Sequence, residues 1–107
     1  PVPISPGAHV ALKRFKQDNP PENGRVINST APSLSRAFAR VLNRSGIIKP
    51  HGSLHSLRHS FCSHLVMDGV DLTTVQRLAG HSTIRVTERY AHLAPDHLKE
   101  SAQRLNL

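Results

Sequence analysis

Apolar residues in this 107-residue chain come in short blocks at three- and four-residue spacing, each fenced by a helix-starting residue on one side and glycine or proline on the other. Such spacing puts apolar side chains along one face of an α-helix, so the chain is expected to be mainly α. Ser5-Pro6 opens the first block, with serine as N-cap and proline at the first helical position, where its missing N–H costs nothing. Leu12 and Phe15 anchor that helix before Asn19-Pro20-Pro21 and Asn23-Gly24 break it. Ser33 is the expected cap of a second helix, in which Leu34, Phe38, Val41 and Leu42 share a face and which Gly46 ends. A connector over 47–52 leads to a third helix at about 53–68, with Leu54, Leu57, Phe61 and Leu65 in one stripe and Gly69 as C-cap. Asp71 caps a short fourth helix carrying Leu72, Val75 and Leu78 and closed by Gly80. Ser82 is expected to cap a fifth at about 83–92, and Pro95 precedes a last one bearing Leu98, Ala102 and Leu105. Residues 1–4 resemble the tail of an extended strand, and 25–27 allow one further short strand.

The hydrophobic fraction is 37%, aromatics make up 4% and tryptophan is absent, so the core is expected to be thin. Lys and Arg outnumber Asp and Glu by 14 to 7, which raises the prior for a polyanionic partner, nucleic acid before an acidic membrane. No apolar run approaches the ~20 residues of a membrane span. The first stretch is proline-rich rather than the apolar run of a signal peptide, and Cys62 stands alone, without a disulfide partner. These features predict a protein of a reducing, cytoplasmic compartment. The opening Pro1-Val2-Pro3 without methionine suggests a segment of a longer chain.

Two clusters carry chemistry. His55 and Arg58 are i, i+3 neighbours on the third helix, and a planar guanidinium beside an imidazole suits the nonbridging oxygens of a phosphate. Alone, that pattern is usually solvated helix surface. The second cluster is Leu78-Ala79-Gly80-His81-Ser82, followed nine residues after His81 by Tyr90, the single tyrosine. Tyr90 shares a face of the fifth helix with Val86 and Thr87, while Arg85 and Arg89 take the opposite face. A lone tyrosine of this kind is more often a packing residue than a nucleophile.

In combination, HSLRHSF at 55–61, LAGHS at 78–82 and ERYAHL at 88–93 resemble the C-terminal signature of the tyrosine recombinases, the phage-integrase type, in order and in spacing. The resemblance covers about 1–107 and implies the helical C-terminal part of that family's catalytic domain. It implies site-specific recombination or integration of double-stranded DNA: Tyr90 attacks a phosphodiester to give a 3′-phosphotyrosine link and a free 5′-hydroxyl. It implies Arg58 as stabiliser of the phosphoryl charge, His55 and His81 as proton donors or acceptors beside it, and no nucleotide or metal cofactor. His59 is expected in a supporting or packing place, Cys62 as a small buried hydrophobe, and Arg85 and Arg89 as DNA contacts. Other protomers are the further partners implied, as a tetramer on DNA in the whole protein, with 94–107 as the segment exchanged between them.

The family pattern also asks for an earlier arginine in a GxR-like segment and a lysine on a β-hairpin, and neither context occurs here. Little or no strand transfer is therefore expected of these residues alone, together with marginal stability or an exposed apolar patch. A zinc site is the weaker alternative for the histidines, since His51, His55 and His59 recur every four residues. HSLRH, however, lacks the glutamate of HExxH. The stronger rival is a non-catalytic helix-turn-helix DNA reader at 72–91, with Arg85 and Arg89 facing outward. It leaves HSLRHSF without a purpose and has Gln76 where that motif usually wants a small residue.

Overall fold

The computed structural model describes residues 2–47, 52–96 and 98–105. The described residues form six α-helices: α1 (Pro6–Asp18), α2 (Ala31–Arg44), α3 (Leu54–Met67), α4 (Leu72–Ala79), α5 (Ile84–Glu88) and α6 (Leu98–Gln103), with one 3₁₀ turn at Ala91–Leu93. The mainly α expectation holds. The short strands at 2–4 and 25–27 do not form, because an extended segment becomes a strand only with a neighbour to complete its ladder, and no described segment runs alongside. Most of the expected connector, 48–51, lies outside the described residues, as do Pro1 and His51.

The chain divides into two compact units, Pro1–Ser56 and Leu57–Leu107. In the first, α1 starts as its sequence dictates: the Ser5 hydroxyl accepts the Ala8 N–H at 3.3 Å and Pro6 occupies the first turn. It stops where Asn19, through its backbone N–H and side-chain amide, caps the Phe15 carbonyl at 2.8 and 3.2 Å ahead of Pro20-Pro21. Asn23 and Gly24 both have positive φ, 55° and 70°, which turns the chain sharply. The cap of α2 is Thr30, not Ser33: the Thr30 hydroxyl accepts the Ser33 N–H at 3.3 Å, and Ala31-Pro32 already lie in the first turn. Neither α1 nor α2 contains a buried residue, and Val10, Leu12, Phe15, Val26, Ile27 and Val41 are exposed. The expected exposed apolar surface is therefore present.

The second unit holds the core. Cys62 and Val66 on α3 pack with Val75 of α4 and with Tyr90, and Leu65, Val70, Leu72, Ala79 and Leu93 lean on that cluster. The buried line of α3 is thus 62/66 and not the leucine stripe: Leu54, Leu57 and Phe61 are exposed. Cys62 and Val66 lie one turn apart, on a line about 140° round the helix from the line of Leu57 and Phe61. Their small or β-branched side chains let α4 and the tyrosine approach closely.

Helices α3 and α4 end in the same way. The Gly69 N–H bonds the Val66 carbonyl at 3.0 Å and the Val70 N–H that of Leu65 at 3.0 Å. Gly80 repeats the pattern with Arg77 at 3.2 Å and His81 with Gln76 at 3.0 Å. Both are Schellman turns, which need a left-handed residue, and Gly80 has φ 68° and ψ 31°. Between them, Asp71 starts α4 by accepting the Thr74 N–H at 2.9 Å and the Thr74 hydroxyl at 2.7 Å. These bonds hold its carboxyl below the ordinary carboxylate value, the side-chain bond contributing most. Ser82 does not cap α5; Thr83 takes that place without a side-chain bond.

Burial separates two apolar positions of similar chemistry. Val75→Ala removes atoms from a fully buried site and is expected to cost about 2 kcal/mol. Leu57→Ala, at a position 56% exposed, should cost less than about 0.5 kcal/mol, both read from urea denaturation midpoints.

Candidate functional site

Tyr90 does not lie within the fifth helix. That helix is only Ile84–Glu88, and Tyr90 sits at φ −96°, ψ −4° between it and the 3₁₀ turn. The chain is pinned there by short-range bonds, Tyr90 N–H to the Thr87 carbonyl and Leu93 N–H to the Tyr90 carbonyl, each 3.0 Å. The face expected from sequence survives this change: Thr87 and Tyr90 are buried, Val86 is partly covered, and Arg85 and Arg89 are exposed.

A buried tyrosine needs a partner for its hydroxyl. Tyr90 has one in His59, whose Nδ1 is within hydrogen-bonding contact of Oη, with the two rings tilted by 43° and their centres 6.0 Å apart. The Cys62 side chain, three residues further along α3, packs in the same buried cluster as the tyrosine. Burial pushes the Tyr90 phenol above its ordinary value, and Cys62 adds to the rise. The guanidiniums of Arg58 and Arg89 act in the opposite direction, because positive charge favours the phenolate. The Cys62 thiol is also pushed up by burial, against a smaller lowering by Arg58. It is a free, buried cysteine.

The glycine turn after α4 delivers His81, half-buried, toward α5. Its Nδ1 bonds the Thr87 hydroxyl at 2.8 Å, and its backbone carbonyl accepts from the Gln76 side chain at 3.4 Å. Thr87 is fully buried, so this bond fixes the imidazole from inside the unit. Arg58 is exposed on α3, its head free to meet solvent or a ligand while its charge reaches Tyr90 and Cys62. His55 lies on the first turn of the same helix, three residues before Arg58.

Sequence reasoning thus placed Tyr90 and Arg58 within electrostatic reach of each other and expected His59 in a supporting or packing place; the structure sets His59 against the Tyr90 hydroxyl, and the packing of Cys62 on the tyrosine was not foreseen. Arg85 and Arg89 are both exposed, as expected of the opposite face, and the Arg89 charge nonetheless acts on Tyr90. Thr87 was recognised as sharing the face of Tyr90 but not as the partner of His81. Among the described residues no three His, Cys, Asp or Glu side chains are grouped to hold a metal, and no helix is long and apolar enough to cross a membrane.

Residues 2–97 match the family model described as the phage integrase family. The integrase of Escherichia phage 186 is 52% identical over 106 residues, covering 98% of this chain and 28% of that protein. The tyrosine recombinase XerD of Brucella abortus (strain 9-941) is 35% identical over 109 residues, covering 91% of this chain and 35% of that protein. Among solved structures, the catalytic domain of bacteriophage HP1 integrase superposes with a TM-score of 0.68 at 40% identity, covering 98% of this chain and 56% of that one. The chain therefore spans about a third or less of the length of these two relatives.

Tyr90 is the single tyrosine and there is no tryptophan, so tyrosinate absorbance reports this one group. Its midpoint is expected above the usual ~10 in the folded chain and near ~10 in denaturant. Arg58→Gln, by removing a charge that lowers it, should move the midpoint up further. Because the folded values of Tyr90 and Cys62 are raised, their neutral forms contribute stability that is complete below their ordinary values. That contribution is lost as the pH climbs through the raised ones. A native tyrosine midpoint at or below ~10 contradicts this account.

Proposed function

This chain belongs to the phage integrase family of tyrosine recombinases, and we propose that Tyr90 is the nucleophile of its DNA strand cleavage and rejoining. The observation that carries the reading is the placement of the Tyr90 hydroxyl against His59 and Cys62, with Arg58 near enough for its charge to favour the phenolate. The phenol oxygen attacks phosphorus, and a 3′-phosphotyrosine link forms as the bond to the 5′-oxygen breaks. The link conserves the energy of the phosphodiester, so rejoining to another strand needs no nucleotide cofactor. Arg58 meets the phosphoryl charge, as a planar cation with forked donors does best. His81, fixed by Thr87, and His55, one turn before Arg58, complete the set of proton donors and acceptors. Arg85 and Arg89, exposed at α5, hold phosphates of the duplex, so affinity falls steeply with salt.

Several finer points belong to the same reading. No GxR-like arginine and no hairpin lysine occur among these residues, and each missing electrostatic donor costs about 10²–10³ in rate. Strand transfer by these 107 residues alone is then very slow, and DNA, further protomers and a cytoplasmic setting are the partners and place of the whole protein. The exposed Leu98 and Leu105, 81% and 70% accessible, suit the 94–107 segment to docking on a neighbouring protomer. The helix-turn-helix alternative is not favoured: a five-residue α5 spans only about 7.5 Å, short for reading a major groove, and the alternative gives HSLRHSF no work.

The reading is tested by covalent trapping on end-labelled duplex from the protein's own target locus, with sulfur at the 5′ bridging position so that the leaving atom needs no acid. An adduct is expected with the upstream-extended protein and lost in Tyr90→Phe, and its persistence in that variant sinks the assignment. Arg58→Ala should slow adduct formation about 10²–10³-fold. Removal of 95–107 should lower self-association in a concentration series of molar mass; an unchanged mass argues against docking in trans.

A further inference from the structure

Resting on the assignment of Tyr90 as nucleophile, we propose that Thr87 is a positioning residue that decides where the proton of the His81 ring sits. Its hydroxyl donates to Nδ1, so the neutral imidazole carries its hydrogen on Nε2 and meets the scissile phosphate as a donor. The inference starts from a hydroxyl with nowhere else to send its proton. Thr87 is fully buried, and its Oγ1 lies 2.8 Å from His81 Nδ1. A threonine on a helix often gives its hydroxyl proton to the carbonyl three or four residues back. Among the described residues Thr87 makes no such bond, and the imidazole nitrogen is the acceptor its proton has. With the bond reversed, Nδ1–H would donate to the hydroxyl, and the hydroxyl proton would face a water-free interior unmade. That cost amounts to a bias of about 10–100-fold toward the ring with its hydrogen on Nε2.

The main chain of the histidine is held as well as its ring. Gly80, left-handed at φ 68°, turns the chain so that the His81 N–H bonds the Gln76 carbonyl at 3.0 Å. The Gln76 side-chain amide returns to the His81 carbonyl at 3.4 Å. Gln76, out of place in a helix-turn-helix, thereby has a use: it clamps the backbone while Thr87 clamps the imidazole. Rotating or flipping the ring then means breaking the bond at Nδ1. Thr87 also reaches the tyrosine, since its carbonyl accepts the Tyr90 N–H at 3.0 Å. One residue thus holds His81 with its side chain and Tyr90 with its main chain, which fixes the two relative to each other. The lone pair of the His81 ring is occupied from inside the unit, and what the ring offers is an N–H in a set direction. That form suits a phosphoryl oxygen on which charge is building.

The test combines a spectrum with a rate, both on the full-length protein. Nitrogen NMR of the labelled histidines, read at about pH 8 where an ordinary imidazole is neutral, should show Nδ1 of His81 bare and Nε2 protonated. Thr87→Val keeps the shape and removes the hydroxyl; it should draw the two nitrogen shifts together, and Thr87→Ser should restore their separation. A protonated Nδ1 in the unsubstituted protein overturns the proposal, and so does a pattern unmoved by Thr87→Val. In single-turnover adduct formation on the target duplex with sulfur at the 5′ bridging position, Thr87→Val should be slower by about 10–100-fold, with Thr87→Ser close to wild type. In a His81→Ala background the same valine should cost less than about twofold, because its effect passes through the ring. An equal loss in both backgrounds marks a purely structural role and overturns the inference. An adduct in Tyr90→Phe removes the nucleophile reading and this inference together, whereas its absence there with an unmoved histidine spectrum removes only this one.

Discussion

The hydroxyl of Tyr90 is a polar group at the end of a buried ring, and the second unit is organised around satisfying it. The ring packs with Cys62, Val66 and Val75, which joins α3, α4 and the segment after α5 into one cluster. A buried hydroxyl left unmade costs about 1–3 kcal/mol, so the helix that packs on the ring must also bring polar atoms to its tip. Helix α3 does so through His59, while Cys62 packs against the ring and Arg58 on the same helix supplies charge. Packing residues and chemical residues therefore alternate along a single helix face, and the thin core expected from composition is the same place as the candidate site.

Electrostatics around the phenol are balanced rather than one-sided. Burial and the thiol favour the neutral form, and two arginines favour the anion. Arg58 and Arg89 are exposed, so their charges are partly spent on water. Excluding that water strengthens the same charges at the same distances, because the local dielectric falls. The +7 excess of the chain thus has a local counterpart beside its one tyrosine.

Helix boundaries were legible where the signal is local chemistry. Ser5 with Pro6, Asp71 with Thr74, and the glycines at 69 and 80 act within four residues of themselves, and each did what its type dictates. Thr30 and Thr83 displaced Ser33 and Ser82 because several hydroxyl residues crowd each start, and backbone geometry chooses among them. Cys62 is buried as expected, but the face of α3 was misjudged because periodicity shows which residues align, not which line meets a neighbour; the larger leucines drew attention from the line of Cys62 and Val66. The family was legible from three short motifs. The contact of His59 with Tyr90 was not, since 31 residues separate them and no spacing rule spans two turns and two helices.

The two glycine turns leave almost no spare chain between Arg58 and Tyr90. Four residues join α3 to α4 and four join α4 to α5, and in both connectors a left-handed glycine and a Schellman bond fix the path. Length variation is therefore distributed unevenly along this molecule. An insertion of even one residue in 68–71 or 80–83 would rotate every later position relative to α3 and carry Tyr90 out of register with His59. The turn at 19–30, held internally by a short-range backbone bond from the Arg25 N–H to the Glu22 carbonyl, can lengthen or shorten at little cost.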